Sequence, residues 1–506
     1  MDERAGICGL VTVAAQKGGG VYFFIDGAPA GASPPTPRTE VLVNFALAQV
    51  EKPKRILVVG GAINGALREC LKHKPEHVDC VEFDPVVLRM ARKWSVDEDR
   101  LALSDPRVTT VAADPRLFLR RAQQGYDAII LTLAAPATAL INRFYTVEWF
   151  RLCYQKLNPG GVVSFSLPYD QVYQDQTLAA FDRTIVTSAQ SAARPRTAQT
   201  AILAGAELVV ALRADGPPLA QEPDVVLRRL SQRGVEAPYL QAFVFDWADK
   251  NNLAQAHQML NGPPECNSDA RPVAYFLGTA RWLAEMTPGV GALLLWTWHR
   301  IGRHGWRDFF GFFSLIGLAL GLLAAAKGSR RFAAMPFMVL AGFAGMALEL
   351  GVLMSLQNLH GYVYGWVGVV TGGFMLGLAL GAVAALEGRV AVAARFVLAA
   401  SGVVSAAAAA VCLSGRALPL VGFPGLAVLA GAFVGVAFRV ALRTWTTAKP
   451  AAGVGMLYAA DLLGGVAGAL LIPAILIPAA GLVAGSLAPA VAALPPFIVL
   501  AWPRTR

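Results

Sequence analysis

The chain has 506 residues, 55% of them hydrophobic, a mean hydropathy of +0.49 and a formal net charge of +10. The length leaves room for two or three domains, and the hydropathy exceeds that of an ordinary soluble domain. The basic excess sits from Asp308 onward, where eleven Lys or Arg face four acidic residues between apolar stretches, so it belongs to membrane loops and not to a nucleic-acid surface. Six cysteines show no paired framework and read as reduced.

Residues 1–45 alternate in short apolar runs, Gly9 to Ala14 and Val21 to Ile25, with Asp26-Gly27 as a hairpin turn. Met1 to Leu10 lacks the basic start and apolar core of a secretory signal. Glu40 and Asn44 fall on a helix leading into the next segment; Glu40 is either a pocket residue or part of a solvated face. Ile56 to Pro85 then reads as strand, glycine turn, helix, strand. Gly60, Gly61 and Gly65 make a turn that lets a ligand approach the backbone at a helix N-terminus. Asn64 is a residue type that tolerates the left-handed conformation. Glu82, about 20 residues past the turn, is placed to take the hydroxyls of a ribose. Asp84 is either a second ligand residue or a helix cap. Cys70, His73, His77 and Cys80 have a spacing compatible with zinc, but two of them fall where a core packs, so no metal is expected.

Strand-like Val108 to Ala112 ends in Asp114, Tyr126-Asp127 open the run Ala128 to Leu133, and a Pro-Gly-Gly turn precedes Val162 to Leu167. Strands alternating with helices imply a parallel sheet whose ligands bind at the carboxyl ends, where Gly60, Glu82, Asp114 and Thr132 fall. Arg143 either selects an anionic ligand or anchors a loop through backbone carbonyls. Thr197 to Arg213 reads as two strands joined at Ala204-Gly205-Ala206.

The stretches GGAINGALRE, VEFDP, DPRV, AADPRLFL and YDAII resemble the spermidine synthase family, a class I S-adenosylmethionine-type fold, over about residues 1–280. NRFYTVEWF and NSDARPVAYF resemble its membrane-fused members more closely. The resemblance implies a Rossmann-like α/β domain with an N-terminal β-hairpin region that helps form a homodimer. It implies S-adenosylmethionine or its decarboxylated form as cosubstrate, held by Gly60, Gly61, Asn64, Gly65, Glu82, Asp84 and Asp114. Asp114 corresponds to the family's adenine contact. Thr132, Tyr145 and Asp170 become the catalytic candidates, and Glu40, Asn142 and Arg143 the acceptor-binding ones. The family carries an aspartate-rich stretch after its fourth strand, and Thr132 and Ala135 stand at its two acidic positions. A threonine hydroxyl does not deprotonate an ammonium near neutral pH. An alkyl transferase acting on a membrane-delivered acceptor therefore stands beside a second expectation, a catalytically degraded nucleoside or polyamine sensor regulating a membrane bundle.

The expected division is a hairpin region and linking helix at 1–50, a nucleoside-binding domain at 51–280, a membrane-entry or interfacial segment at 281–307 and an all-α polytopic bundle at 308–506. Seven spans near 309–326, 334–356, 362–386, 394–414, 419–442, 453–477 and 480–502 are long enough to cross a bilayer core of about 30 Å. Recurrent small residues four apart serve helix packing. Glu349 and Asp461 lie within spans, and His360 is close enough in sequence to join Glu349 in a polar cluster. With seven crossings the positive-inside rule puts the soluble domain outside; a marginal eighth between about Trp282 and Trp298 puts it inside. The expectation is an inner-membrane protein with its soluble domain in the cytoplasm.

Overall fold

The computed structural model describes residues 1–7, 9–16, 19–136, 138–169, 176–193, 198–205, 207–242, 250–261, 265–287, 289, 296, 306–326, 330–361, 364–384, 419–445 and 450–501. The chain divides into two compact units, Met1–Asp269 with Val273–Arg281, and Ala270–Pro272 with Trp282–Arg506.

The first unit opens with a four-stranded antiparallel meander, β1 (Asp2–Ala5), β2 (Leu10–Ala15), β3 (Val21–Ile25) and β4 (Ala28–Ser33). Asp26 and Gly27, both at positive φ, turn β3 into β4. The two outer strands, poor in alternating apolar residues, escape a reading based on periodicity. Helix α1 (Pro37–Ala48) leads to β5 (Arg55–Val59), α2 (Ala66–Lys72), β6 (His77–Glu82), α3 (Pro85–Trp94), α4 (Asp97–Leu103), β7 (Val108–Ala112), α5 (Pro115–Arg121), β8 (Tyr126–Leu131), α6 (Ala139–Asn142), α7 (Val147–Lys156), β9 (Leu157–Pro168), α8 (Gln176–Ala192), β10 (Gln199–Ala204) and β11 (Glu207–Arg213). These strands form one sheet in the order β10-β11-β9-β8-β5-β6-β7. It is parallel from β9 to β7, and β11 and β10 add an antiparallel edge.

Strand β5 lies between β8 and β6, so Ile56, Leu57, Val58 and Val59 are wholly buried. A strand covered on both faces reads as a continuous apolar run for this reason. After β6 and again after β7 the chain uses the same Asp-Pro device. Asp84 and Asp114 accept from the Val86 and Leu117 amides, and Pro85 and Pro115 take the first helical positions.

In the second unit, five described helices are long and apolar enough to cross a membrane: Phe332–His360, Gly365–Ala384, Gly422–Thr444, Gly453–Ala480 and Leu482–Leu500. Gly311–Ala325 is apolar but shorter, and the expected span at 394–414 lies outside the described residues, as does most of the segment considered for an eighth crossing. The small-residue spacing has a structural use. A Cβ on Gly377 or Gly381 would collide with the Val428 or Ala432 carbonyl, and one on Gly431 or Gly435 with the Phe374 or Leu378 carbonyl. Two helices thus press backbone to backbone. The Gly453–Ala480 span loosens into a π-helical turn at Ile472–Leu476, where Pro473 removes a donor from the ladder. Glu349 is buried and hydrogen-bonds Thr371, while the His360 ring packs edge-on against Phe423, 5.5 Å between centroids. Glu349 and His360 share a helix, and eleven residues at about 1.5 Å each separate them by roughly 16 Å, so they do not form the expected cluster. The Asp461 backbone carbonyl and Oδ1 lie against Gly342 instead.

Candidate functional site

The carboxyl ends of β5 and β6 meet at the glycine turn. The Gly60 amide donates to the Val81 carbonyl at 2.9 Å, and Gly60, Gly61 and Gly65 have φ of 77°, 94° and 75°. A Cβ on Gly61 would sit 2.6 Å from Val58 Cγ1, so both backbone conformation and space call for glycine there. The left-handed position at the start of α2 is Gly65, not Asn64. Glycine takes that conformation without a Cβ penalty, and Asn64 instead accepts from the Ala66 amide at 3.2 Å through its side chain. Gly31 of β4 packs on the Ile63 carbonyl, so the N-terminal sheet covers the turn.

Glu82, the last residue of β6, points into this turn. Its Oε1 accepts from the Ala62 amide at 2.9 Å, and the residue is 6% exposed. The other oxygen accepts no hydrogen bond among the described residues and is not among the sealed, unpartnered atoms. Burial pushes the carboxyl up to about 7, with Asp84 adding to the rise and the Ala62 amide opposing it. A carboxylate held by one amide, with an open oxygen facing a turn that has no side chain at Gly60 and Gly61, fits a vicinal diol. Asp84 is the helix cap, 1% exposed, with Gly6 of the N-terminal segment against its carboxylate.

Beside this corner the charges are already paired. Arg143 is 1% exposed and binds Asp114 Oδ2 through Nη1 at 2.5 Å, and Asp114 Oδ1 also caps α5 at 3.1 Å. Burial pulls the guanidinium down to about 10, with Asp114 offsetting the fall, so it stays charged at neutral pH. Arg143 therefore neither offers its charge to an anionic ligand nor holds the loop through carbonyls; its partner is the carboxylate expected to meet adenine. Arg116 pairs with Asp269 through both terminal nitrogens, at 2.6 and 2.8 Å, and Thr146 donates to the same carboxylate at 2.9 Å. Asn142 Oδ1 accepts from Asn267 Nδ2 at 3.0 Å, and that nitrogen also donates to the Tyr145 carbonyl at 2.9 Å. Asn267 and Asp269 thus clamp Arg116, Asn142, Tyr145 and Thr146 within the first unit. Asn142 belongs to the clamp and not to an acceptor pocket.

Tyr145 donates to the Leu133 and Ala134 carbonyls at 3.3 and 3.2 Å, fixing the segment after β8, and burial pushes its phenol up. Thr132 donates through Oγ1 to the Val59 carbonyl at 3.1 Å; a Cβ on Gly60 would come within 2.9 Å of that oxygen. Glu40 lies elsewhere, capping Pro238–Ala242 by accepting from the Tyr239 and Leu240 amides at 2.7 and 3.1 Å. Its pKa is raised by burial, against the pull of those amides. Asp170 lies outside the described residues. No group of three or more His, Cys, Asp or Glu converges as a metal site among the described residues. His73 bonds Asn44 at 2.9 Å, His77 bonds Asp79 at 3.0 Å, and the Cys80 thiol donates to the Gly60 carbonyl at 3.3 Å.

Sequence reasoning missed two polar groups. Arg38, at the start of α1, pairs with Glu207 at 2.9 Å and donates to Ser166 at 3.1 Å; the three come from segments far apart in the chain. Asp182, on α8, stands alone and has no motif around it.

The strand order and the glycine turn facing a strand-end carboxylate define a Rossmann-like class of α/β domain. Residues 36–214 match the family model of the spermine/spermidine synthase domain. The polyamine aminopropyltransferase of Korarchaeum cryptofilum is 33% identical over 124 residues, 24% of this chain and 38% of that protein. Putrescine N-methyltransferase 3 of Nicotiana tabacum is 40% identical over 134 residues, 25% of this chain and 33% of its own. The match thus spans little more than a third of these curated relatives. Among solved structures, spermidine synthase from Thermotoga maritima has 20% identity and a TM-score of 0.41, covering 51% of this chain and 87% of that one.

Proposed function

We propose that the first unit is an S-adenosylmethionine-type alkyl transferase carried by a membrane-spanning helical unit, with its soluble unit in the cytoplasm. It binds S-adenosylmethionine or the decarboxylated form and transfers a methyl or aminopropyl group to an acceptor delivered at the membrane. The observation that carries this reading is the Glu82 carboxylate, aimed at the glycine turn with one oxygen uncommitted. Gly60 and Gly61 bring no side chain to the turn where the nucleoside would lie, and Glu82 would take its ribose. When bound, the sulfonium supplies an already activated leaving group, so the protein's part is in-line positioning. Tyr145 and Thr132 serve that part by tying the chain after β8 to its own carbonyls and to β5. Two of the relatives carry polyamine and putrescine in their names, which supports an amine acceptor.

Calorimetric titration of the full chain with S-adenosylmethionine, its decarboxylated analogue and methylthioadenosine tests the reading, followed by a search for methylthioadenosine or S-adenosylhomocysteine as product. Glu82→Ala is expected to weaken nucleoside binding by at least about tenfold. Unchanged affinity in the folded variant refutes the assignment.

A second reading, a nucleoside or polyamine sensor without turnover, is favoured by one observation. The Thr132 hydroxyl, at a position where the family carries an acid, is committed to a backbone carbonyl and has no basic partner. Tight binding with no product over prolonged incubation selects it.

A further inference from the structure

Arg38 lies in the first turn of α1, whose N-cap, Thr36, supplies no side-chain hydrogen bond. Its Nε donates to the Ser166 hydroxyl at 3.1 Å and stands 2.9 Å from Glu207 Oε2. Ser166 is buried, while the Arg38 side chain is 39% exposed. Neither terminal nitrogen of Arg38 hydrogen-bonds a described residue, whereas Arg116 and Arg143 spend both of theirs on acceptors of the first unit. A guanidinium is planar, so pinning Nε to a buried hydroxyl aims the end carrying Nη1 and Nη2 away from those partners. The Glu207 contact leaves this end intact: bidentate recognition of a carboxylate uses two parallel N–H donors, and both remain.

Strand register fixes where that end lies. Val59 pairs with Leu131 and Leu131 with Phe165, so the residues that follow, Gly60, Thr132 and Ser166, form a row across β5, β8 and β9. The Thr132 amide donates to the Val59 carbonyl at 3.1 Å, and a Cβ on Gly60 would come within 2.9 Å of Thr132 Oγ1. From Gly60 to Ser166 the row spans two strand spacings, about 10 Å. Glu82 ends β6 on one side of the glycine turn, and Ser166 and Glu207 belong to β9 and β11 on the other. A nucleoside gripped by Glu82 therefore has Arg38 on the side opposite its ribose anchor. The amino-acid tail of S-adenosylmethionine extends about 7 Å past the ribose at ordinary bond lengths, and the arginine side chain covers the rest. Its carboxylate suits the two free donors, and the N-terminal end of α1 adds favourable charge. The decarboxylated form keeps the ammonium alone, so it brings a cation to a cation.

We infer that Arg38 reads the carboxylate of S-adenosylmethionine and sets the choice of that cosubstrate over the decarboxylated form. The inference rests on the nucleoside reading of the glycine turn and adds which of the two cosubstrates is taken. Isothermal titration of the full chain in detergent with both, and with methylthioadenosine, which has no amino-acid tail, tests it. S-adenosylmethionine is expected to bind at least about tenfold more tightly than the decarboxylated form. Arg38→Gln should remove that preference and leave methylthioadenosine affinity unchanged, which shows that the variant is folded. Equal wild-type affinity for the two cosubstrates, with methylthioadenosine bound, overturns the Arg38 assignment and leaves the nucleoside reading standing. A preference that survives in folded Arg38→Gln does the same. No binding of any of the three removes the nucleoside reading and this inference with it. Should Arg38→Gln lose methylthioadenosine binding, Arg38→Lys takes its place. It keeps the charge and loses the fork, so the preference should fall at least about threefold, and an undiminished preference overturns the assignment.

Discussion

Two groups of carboxylates sit at the same edge of the sheet and have opposite states. Asp114 and Asp269 each face a buried arginine that occupies them, whereas Glu82 meets one backbone amide and keeps an oxygen open. Binding capacity lies with the carboxylate that folding leaves unfinished; the finished pairs hold the frame. Neutralising one member of each group is therefore expected to change stability in opposite directions.

The largest effect belongs to Asp269→Ala, which strands the Arg116 guanidinium in the interior. It should lower stability by about 3–5 kcal/mol, read by denaturant unfolding with the buried Trp149 as reporter. A loss below about 1 kcal/mol erases the contrast. Glu82→Gln should act the other way. The Glu82 carboxyl titrates at about 7 in the folded protein against an ordinary value of 4.5, so replacing its charge at pH 8 should stabilise the protein by up to about 3 kcal/mol while abolishing nucleoside binding. A destabilised Glu82→Gln contradicts the view of an unfinished site.

The same residue sets a pH window. Because its folded pKa is raised, the folded state holds the proton more tightly between pH 4.5 and about 7, and stability from this group is lost as pH rises through that range. Ribose hydroxyls donate to the charged form, so nucleoside affinity should climb across the window and level off above about 7. Titration at pH 6 in buffers of different ionisation enthalpy should show proton release on binding; proton uptake has the wrong sign for Glu82. The smallest effect is at Tyr145→Phe, which removes the hydroxyl shared by the Leu133 and Ala134 carbonyls. It should cost about 1 kcal/mol and leave nucleoside affinity unchanged.

The glycine turn, its strands and Glu82 were legible because they lie within one stretch of about 30 residues, where composition and spacing act locally. The Asp114–Arg143 pair was not, although both residues stood out. Their contact spans 29 positions and depends on how α5 and the segment after β8 pack. The Asn142–Asn267 contact is illegible for the same reason, its partners lying 125 residues apart. A short polar stretch that clamps the backbone has the same composition as one that binds a substrate. Asp182 gives no signal at all, since a single aspartate on an amphipathic helix looks solvated until the fold buries it.

The Asn267 clamp has a consequence for biosynthesis. Asn267 and Asp269 deliver the final contacts to Asn142, Thr146 and Arg116, segments translated more than a hundred residues earlier, and the first apolar helix of the second unit begins soon after. Until that late stretch leaves the ribosome, Arg116 is an arginine without its counter-ion inside a half-built domain. Completion of the first unit and emergence of the apolar helices therefore fall in the same interval of synthesis.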